Sequence, residues 1–92
     1  MAWTVAISNK ARRQIEALPK RPRKALGVLI CEIRDLGPVR GNWSNYSKLR
    51  GNRHHCHLSK GRPTYVAVWQ VRSKRDRLVE VTYVGTREGA PY

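Results

Sequence analysis

Residues 48–71 read KLRGNRHHCHLSKGRPTYVAVWQV and hold both the most strand-like run and the densest set of candidate catalytic side chains in the chain. The run from Tyr65 to Val71, YVAVWQV, is almost continuously apolar and rich in β-branched and aromatic residues. This composition is typical of a strand buried on both faces. We therefore predict that this strand lies near the middle of a sheet.

The segment before that strand carries the polar groups. It ends in the turn-forming residues SKGRP at 59–63, so the two runs predict a β-hairpin with a longer loop. Because side chains alternate across a strand, two faces are expected. One face would hold the chemical groups Arg53, His55, His57 and Ser59, and the other the structural residues His54, Cys56 and Leu58.

Size and charge limit the possible functions. The 92 residues fit one small domain, residues 1–92, with a modest core. The formal net charge is +13, from 19 Lys and Arg against 6 Asp and Glu. Such an excess favours a polyanionic partner such as nucleic acid, the ribosome or an acidic protein. Charge alone leaves open whether the chain is an enzyme or a ribosomal or architectural protein.

The remaining elements follow from hydrophobic periodicity. Alternation from Trp3 to Ile7 predicts a first strand, and LVEVTYV at 78–84 predicts a last strand with Val79, Val81 and Tyr83 on one face. Two amphipathic helices lie between residues 8 and 38. The first helix is capped by Ser8 or Asn9 and ends at Pro19, and its apolar residues are Ala11, Ile15 and Leu18. The second helix begins near Pro22 and ends at Gly37-Pro38, and its apolar stripe consists of Leu26, Leu29, Ile30, Ile33 and Leu36.

The order is β-α-α-β-β-β. It predicts an α+β fold in which two N-terminal helices pack on one face of a four-stranded, mainly antiparallel sheet. The opposite face would stay open and hold the chemical groups.

Several features allow two interpretations. Trp43 and Tyr46, in the loop at 38–47, can stack on bases or cover the core. The basic run at 10–24 is either a solvated surface or a contact for a nucleic-acid backbone. Cys31 and Cys56 are expected to be buried thiols without a disulfide. No run approaches the roughly 18 apolar residues of a membrane span, so we expect a cytoplasmic protein without membrane contact.

The candidate residues suit cleavage of RNA by the ribose 2′-hydroxyl. That reaction needs a base for the hydroxyl, cations for the pentavalent phosphate and an acid for the departing 5′-oxygen. Histidine titrates near neutral pH, so His57 can act as the base, with His55 on the same face. Arginine can hold two phosphate oxygens, which makes Arg87 and Arg53 candidate clamps. Tyr92, in the tail, can stack on a base or approach a phosphate through its hydroxyl.

The histidine-rich run also raises the question of a metal site. Adjacent strand residues point to opposite faces, so at most His55 and His57 can meet, and no second ligand pair occurs elsewhere. With six acidic residues, a magnesium-dependent nuclease site is not expected. We predict no metal and no small-molecule cofactor.

The chain resembles the RelE/ParE superfamily of bacterial toxins, and most closely its RelE-like members. The resemblance covers nearly the whole chain. It rests on the order of elements, on KLRG at 48–51 before the second strand, on the strand Tyr65 to Val71, and on Val-Gly-Thr-Arg at 84–87 after the last strand.

The resemblance implies a toxin that sits in the ribosomal A site, cuts mRNA without a metal and is neutralised by an acidic antitoxin. It places the active positions of the second strand on His57 and Ser59, the arginine on Arg87 and the tail aromatic on Tyr92. RelE has lysines where this chain has His57 and Ser59. The further RNA-binding candidates are all basic: Lys48, Arg50, Arg53, Lys60 and Arg62.

Two other functions stay open at the level of sequence. A ParE-like toxin would share the scaffold and poison DNA gyrase by binding. A non-enzymatic nucleic-acid binder would use only its charge. The histidine-rich strand and Arg87 favour RNA chemistry.

Overall fold

The computed structural model describes residues 2–92, which form two helices and five strands. The elements, in chain order, are β1 (Thr4–Ile7), α1 (Asn9–Glu16), α2 (Lys20–Leu36), β2 (Ser47–Leu49), β3 (Arg53–Ser59), β4 (Tyr65–Ser73) and β5 (Leu78–Thr86), followed by a short 3-10 turn, Arg87–Gly89. The predicted α+β fold is confirmed.

The sheet differs from the prediction in strand number. Its order is β1-β5-β4-β3-β2, with β4 in the middle as predicted. Three pairings are antiparallel and β1 pairs with β5 in parallel, so the sheet is mixed. The prediction of four strands was wrong, because β2 also pairs, through residues 47–49 opposite 53–55. Three residues among turn-forming neighbours are too few to show a strand period.

Local sequence explains both helices. The Ser8 hydroxyl accepts a hydrogen bond from the Ala11 amide at 3.0 Å and caps α1. Gly37 ends α2 with a φ of 99°, a conformation that side-chain-bearing residues rarely adopt. Of the predicted apolar stripe on α2, Leu26, Leu29 and Ile33 are buried.

Two predicted core positions on α2 are exposed. Leu36 is 68% exposed, because it is the last residue of the helix and the core extends only as far as Ile33. Cys31 is also exposed, so the prediction of two buried thiols was wrong for this residue. It lies about 200° around the helix from the buried Leu29 and faces away from the sheet. Cys56 is buried as predicted.

The main core lies between the helices and one face of the sheet. It includes Cys56, Leu58 and the fully buried Trp69. A second, small cluster on the other face consists of Val66, Val68 and Tyr83. The prediction that Tyr83 shares a face with Val79 and Val81 was wrong, because Val68 pairs with Tyr83 while Trp69 pairs with Val81. This register shift inserts an extra residue into β5 and reverses the alternation.

The loop aromatics cover the core. The Trp43 indole donates to the Glu32 carboxylate at 2.9 Å, and the Tyr46 hydroxyl lies 2.7 Å from Nδ1 of His54. His54 is 3% exposed, and its ring stacks against both Tyr46 and Trp69, which also contact each other. Of the two interpretations of this loop, the structural one is therefore supported. None of the helices within residues 2–92 is long and apolar enough to cross a membrane.

Candidate functional site

The candidate site lies where the end of β3 meets the turn after β5 and the tail. The alternation predicted for β3 is confirmed: Cys56 and Leu58 join the helix-side core, whereas His55 and His57 point to the other face. Antiparallel β2 reaches only as far as His55. Beyond that point the backbone amide of His57 donates to the Ser44 carbonyl at 2.8 Å.

His57 is only half-buried, and its surroundings favour the neutral imidazole. Partial burial lowers its pKa below the ordinary value of 6.5, and the positive charges of Arg87 and Lys60 lower that pKa further. Around neutral pH the ring is therefore unprotonated. It can then accept a proton, as a general base must.

Arg87 is exposed at the start of the 3-10 turn, and its backbone amide donates to the Thr64 carbonyl at 2.9 Å. The Tyr83 hydroxyl fixes the same turn by donating to the Thr86 carbonyl at 2.8 Å. Tyr83 lies so close to Gly85 that a Cβ there would be 2.8 Å from its hydroxyl oxygen. Gly85 thus has a packing role, because it leaves room for Tyr83, which supports this turn.

The tail folds back over His55. The rings of Tyr92 and His55 stack with centroids 4.4 Å apart and planes inclined by 25°. Arg53 holds the preceding residue, because its Nη1 donates to the Pro91 carbonyl at 2.7 Å while its Nε donates to the Arg50 carbonyl at 3.0 Å. Partial burial raises the pKa of Tyr92, so its hydroxyl stays protonated at neutral pH.

His55 is more enclosed than His57. Its Nε2 lies 2.6 Å from the Ser47 hydroxyl, and its Nδ1 is buried without a hydrogen-bond partner among the described residues. Burial lowers its pKa, and the nearby His57 lowers that pKa further. His55 is therefore placed to support the Tyr92 ring.

The predicted site residues fall into four groups. His55, His57, Arg87 and Tyr92 come together, with Ser59 and Lys60 beside His57. The Arg53 guanidinium donates hydrogen bonds to the backbone carbonyls of Arg50 and of Pro91 in the tail. Lys48 does not lie beside His57. Instead, Lys48 lines a separate pocket with His54 and Trp3. Arg50 and Arg62 are exposed in the loops at either end of β3.

Sequence reasoning missed two residues beside His57. Arg21, from the first turn of α2, and Ser44, from the loop before β2, line one cleft with it. The basic run at 10–24 was the only signal for Arg21, and it did not distinguish this residue from six other cations. Across residues 2–92, His, Cys, Asp and Glu side chains form no group of three that could hold a metal ion.

No family model and no curated protein matches the sequence. Comparison with solved structures nevertheless defines the class of fold: it is the fold of RelE-type toxins, as the sequence resemblance predicted. A double mutant of the Escherichia coli toxin RelE in the free state is 24% identical, with a TM-score of 0.75 over 98% of this chain and 88% of that one.

Two further solved structures have a similar fold. RelE in the Pyrococcus horikoshii RelE-RelB complex is 15% identical, with a TM-score of 0.69 over 98% of this chain and 100% of that one. The Staphylococcus aureus YoeB dimer is 15% identical, with a TM-score of 0.70 over 95% and 99% of the two chains. At these identities the similarity establishes the fold.

Proposed function

We propose that this protein is the toxin of a toxin-antitoxin module and acts as a ribosome-dependent, metal-independent mRNA endoribonuclease. The observation that carries the proposal is the convergence of His57, Arg87 and Tyr92, which come from β3, the turn after β5 and the tail. The RelE-type fold supports the class of toxin.

In the proposed reaction, neutral His57 accepts the proton of the ribose 2′-hydroxyl. The 2′-oxygen then attacks phosphorus, and the bond from phosphorus to the 5′-oxygen breaks. Arg87 stabilises the additional negative charge on the phosphate oxygens. Tyr92, protonated at neutral pH, donates a proton to the departing oxygen. The products are a 2′,3′-cyclic phosphate and a 5′-hydroxyl. His55 supports the Tyr92 ring by stacking against it.

Two partners follow from the proposal. The candidate residues would contact RNA from one face of the sheet, so a ribosome that holds the mRNA codon from the other side would complete the site. The net charge of +13 suits both ribosomal RNA and an acidic antitoxin. Similar toxins have been crystallised as RelE-RelB and RelBE complexes, and an acidic segment that folds on this basic surface would neutralise the toxin.

The test is a cell-free translation reaction followed by mapping of mRNA 5′ ends. Wild-type protein should stall translation and leave cuts within A-site codons. His57→Ala and Arg87→Ala should each reduce the cleavage rate by about 100-fold or more, the range for loss of a general base or a charge-stabilising group. Arg75→Ala is the matched charge control, since Arg75 is exposed in the turn before β5, at the other end of that strand from Arg87.

Two outcomes would favour the other functions. Intact mRNA together with gyrase-linked DNA breaks would indicate a ParE-like gyrase inhibitor. Intact mRNA with binding that falls steeply with salt, and that no single substitution abolishes, would indicate a non-catalytic nucleic-acid binder.

A further inference from the structure

A cleft of about 300 Å³ opens beside His57, on the side where β2 has ended. Its lining residues come from three parts of the chain: Arg21 from α2, Ser44 from the loop before β2, and His57, Leu58, Ser59 and Lys60 from the end of β3. The cleft lies where the pairing of β2 with β3 has ended: β2 covers β3 only at residues 53–55, and beyond them the loop residue Ser44 accepts a hydrogen bond from the His57 amide.

The lining suits an anion. Arg21 and Lys60 are both exposed cations, and none of the described residues that line the cleft carries a carboxylate. Within residues 2–92, neither cation makes a salt bridge. A phosphate diester offers only acceptor oxygens at its charged centre, so it needs donors. The guanidinium of Arg21, the ammonium of Lys60 and the hydroxyl of Ser59 can supply them. The Ser44 hydroxyl already donates to the Asn45 side chain at 3.0 Å.

The same lining argues against an acidic peptide as the occupant. Peptide segments that dock in clefts usually anchor through apolar side chains, and the only aliphatic lining residue is Leu58, itself 8% exposed. The volume is at the low end for ligand sites, which suits one phosphate with its sugar.

We propose that this cleft binds the phosphate of a single-stranded RNA nucleotide that neighbours the scissile one, with Arg21 as its principal ligand. The inference rests on the proposed function and adds a binding subsite to it. His57 belongs to both the cleft and the candidate site. A phosphate held by Arg21 and Lys60 would therefore set the position of the RNA relative to the His57 imidazole, the proposed general base. Arg21 would thus link the otherwise remote helix α2 to substrate binding.

The test uses an eight-nucleotide, fully 2′-O-methylated RNA, which cannot be cleaved by 2′-hydroxyl attack. Its dissociation constant is measured by fluorescence anisotropy over a range of salt concentrations. Arg21→Ala should weaken binding about tenfold, as expected for loss of a charge-assisted hydrogen bond to phosphate. It should also reduce the slope of log affinity against log salt by about 0.7, the value for one phosphate contact to a single strand.

Arg23→Ala is the matched control. It removes the same charge from the same helical turn, but Arg23 does not line the cleft, so it should change affinity less than twofold and leave the slope unaltered. Equal effects of the two substitutions would overturn the proposal, because they would show that only overall charge matters. Failure of the wild-type protein to bind the RNA at low salt would overturn it as well.

The result does not depend on catalysis. If Arg21→Ala selectively weakens binding while wild-type protein leaves mRNA intact on the ribosome, the subsite stands and the nuclease proposal fails. If mRNA is cut but Arg21→Ala and Arg23→Ala weaken binding equally, the nuclease proposal stands and the subsite fails.

Discussion

Replacement of Arg53 by alanine should weaken the docking of the tail on the site. The Arg53 guanidinium donates to the Pro91 carbonyl at 2.7 Å, and that contact precedes the Tyr92 ring, which stacks 4.4 Å from His55. Hydrogen bonds from charged donors contribute about 1.5–3 kcal/mol when shielded, and this exposed one should contribute about 1 kcal/mol. Its loss would lower the ratio of docked to released tail about fivefold.

The assay is NMR of the His55 ring protons. A stacked tyrosine shifts these protons by its ring current, so Arg53→Ala should move their signals towards those of a Tyr92→Ala variant, in which the ring is absent. The cleavage rate should fall in parallel, because Tyr92 lies beside Arg87 in a smaller fraction of the molecules.

Arg50→Ala is the control for the NMR measurement. It removes an equal charge three residues away but keeps the backbone carbonyl that accepts from Arg53. Its His55 signals should match the wild type. Unchanged His55 signals in Arg53→Ala would refute the reasoning, since they would show that the tail docks without the guanidinium.

Three other predictions concern packing and charge. Gly85→Ala should destabilise the fold by about 1–3 kcal/mol in urea unfolding, because the new Cβ would lie 2.8 Å from the Tyr83 hydroxyl; an unchanged midpoint would contradict this. Arg87→Ala should raise the pKa of His57 towards 6.5 in an NMR titration, since a nearby positive charge is removed. Lowering the pH from 7.5 to 5.5 should reduce stability, because burial lowers the pKa of His54 in the folded state and the unfolded chain therefore binds more protons below about pH 6.5. His54→Gln should make that loss smaller, because only the lowered pKa values of His55 and His57 would then contribute to it. An equally steep loss in this variant would exclude His54 as a contributor.

The sequence predicted those parts of the fold that depend on periodicity. The alternation along β3 separated His55 and His57 from Cys56 and Leu58, and the apolar run in β4 marked the middle of the sheet. The errors fell where periodicity was interrupted or too short. β2 has three residues, and the bulge near Thr82 turned Tyr83 to the other face.

The candidate site was predictable only in part. Residues on β3 and in the Val-Gly-Thr-Arg segment carried chemical signals in the sequence itself. The hydrogen bond between Arg53 and the tail could not be predicted from the sequence. Its partner, Pro91, is 38 residues away and accepts through a backbone carbonyl, which any residue could provide. Arg21 likewise approaches His57 only through the packing of α2 beside the end of β3.

The central claim is that the ribose 2′-hydroxyl of the mRNA attacks the phosphate beside His57. The most direct measurement compares ribosome-bound mRNAs that differ by one atom, a 2′-hydroxyl or a 2′-hydrogen at the nucleotide before the scissile phosphate. Wild-type protein should cut the first mRNA, leave a 2′,3′-cyclic phosphate and fail to cut the second. Cleavage of the 2′-deoxy mRNA at the same position would contradict the account.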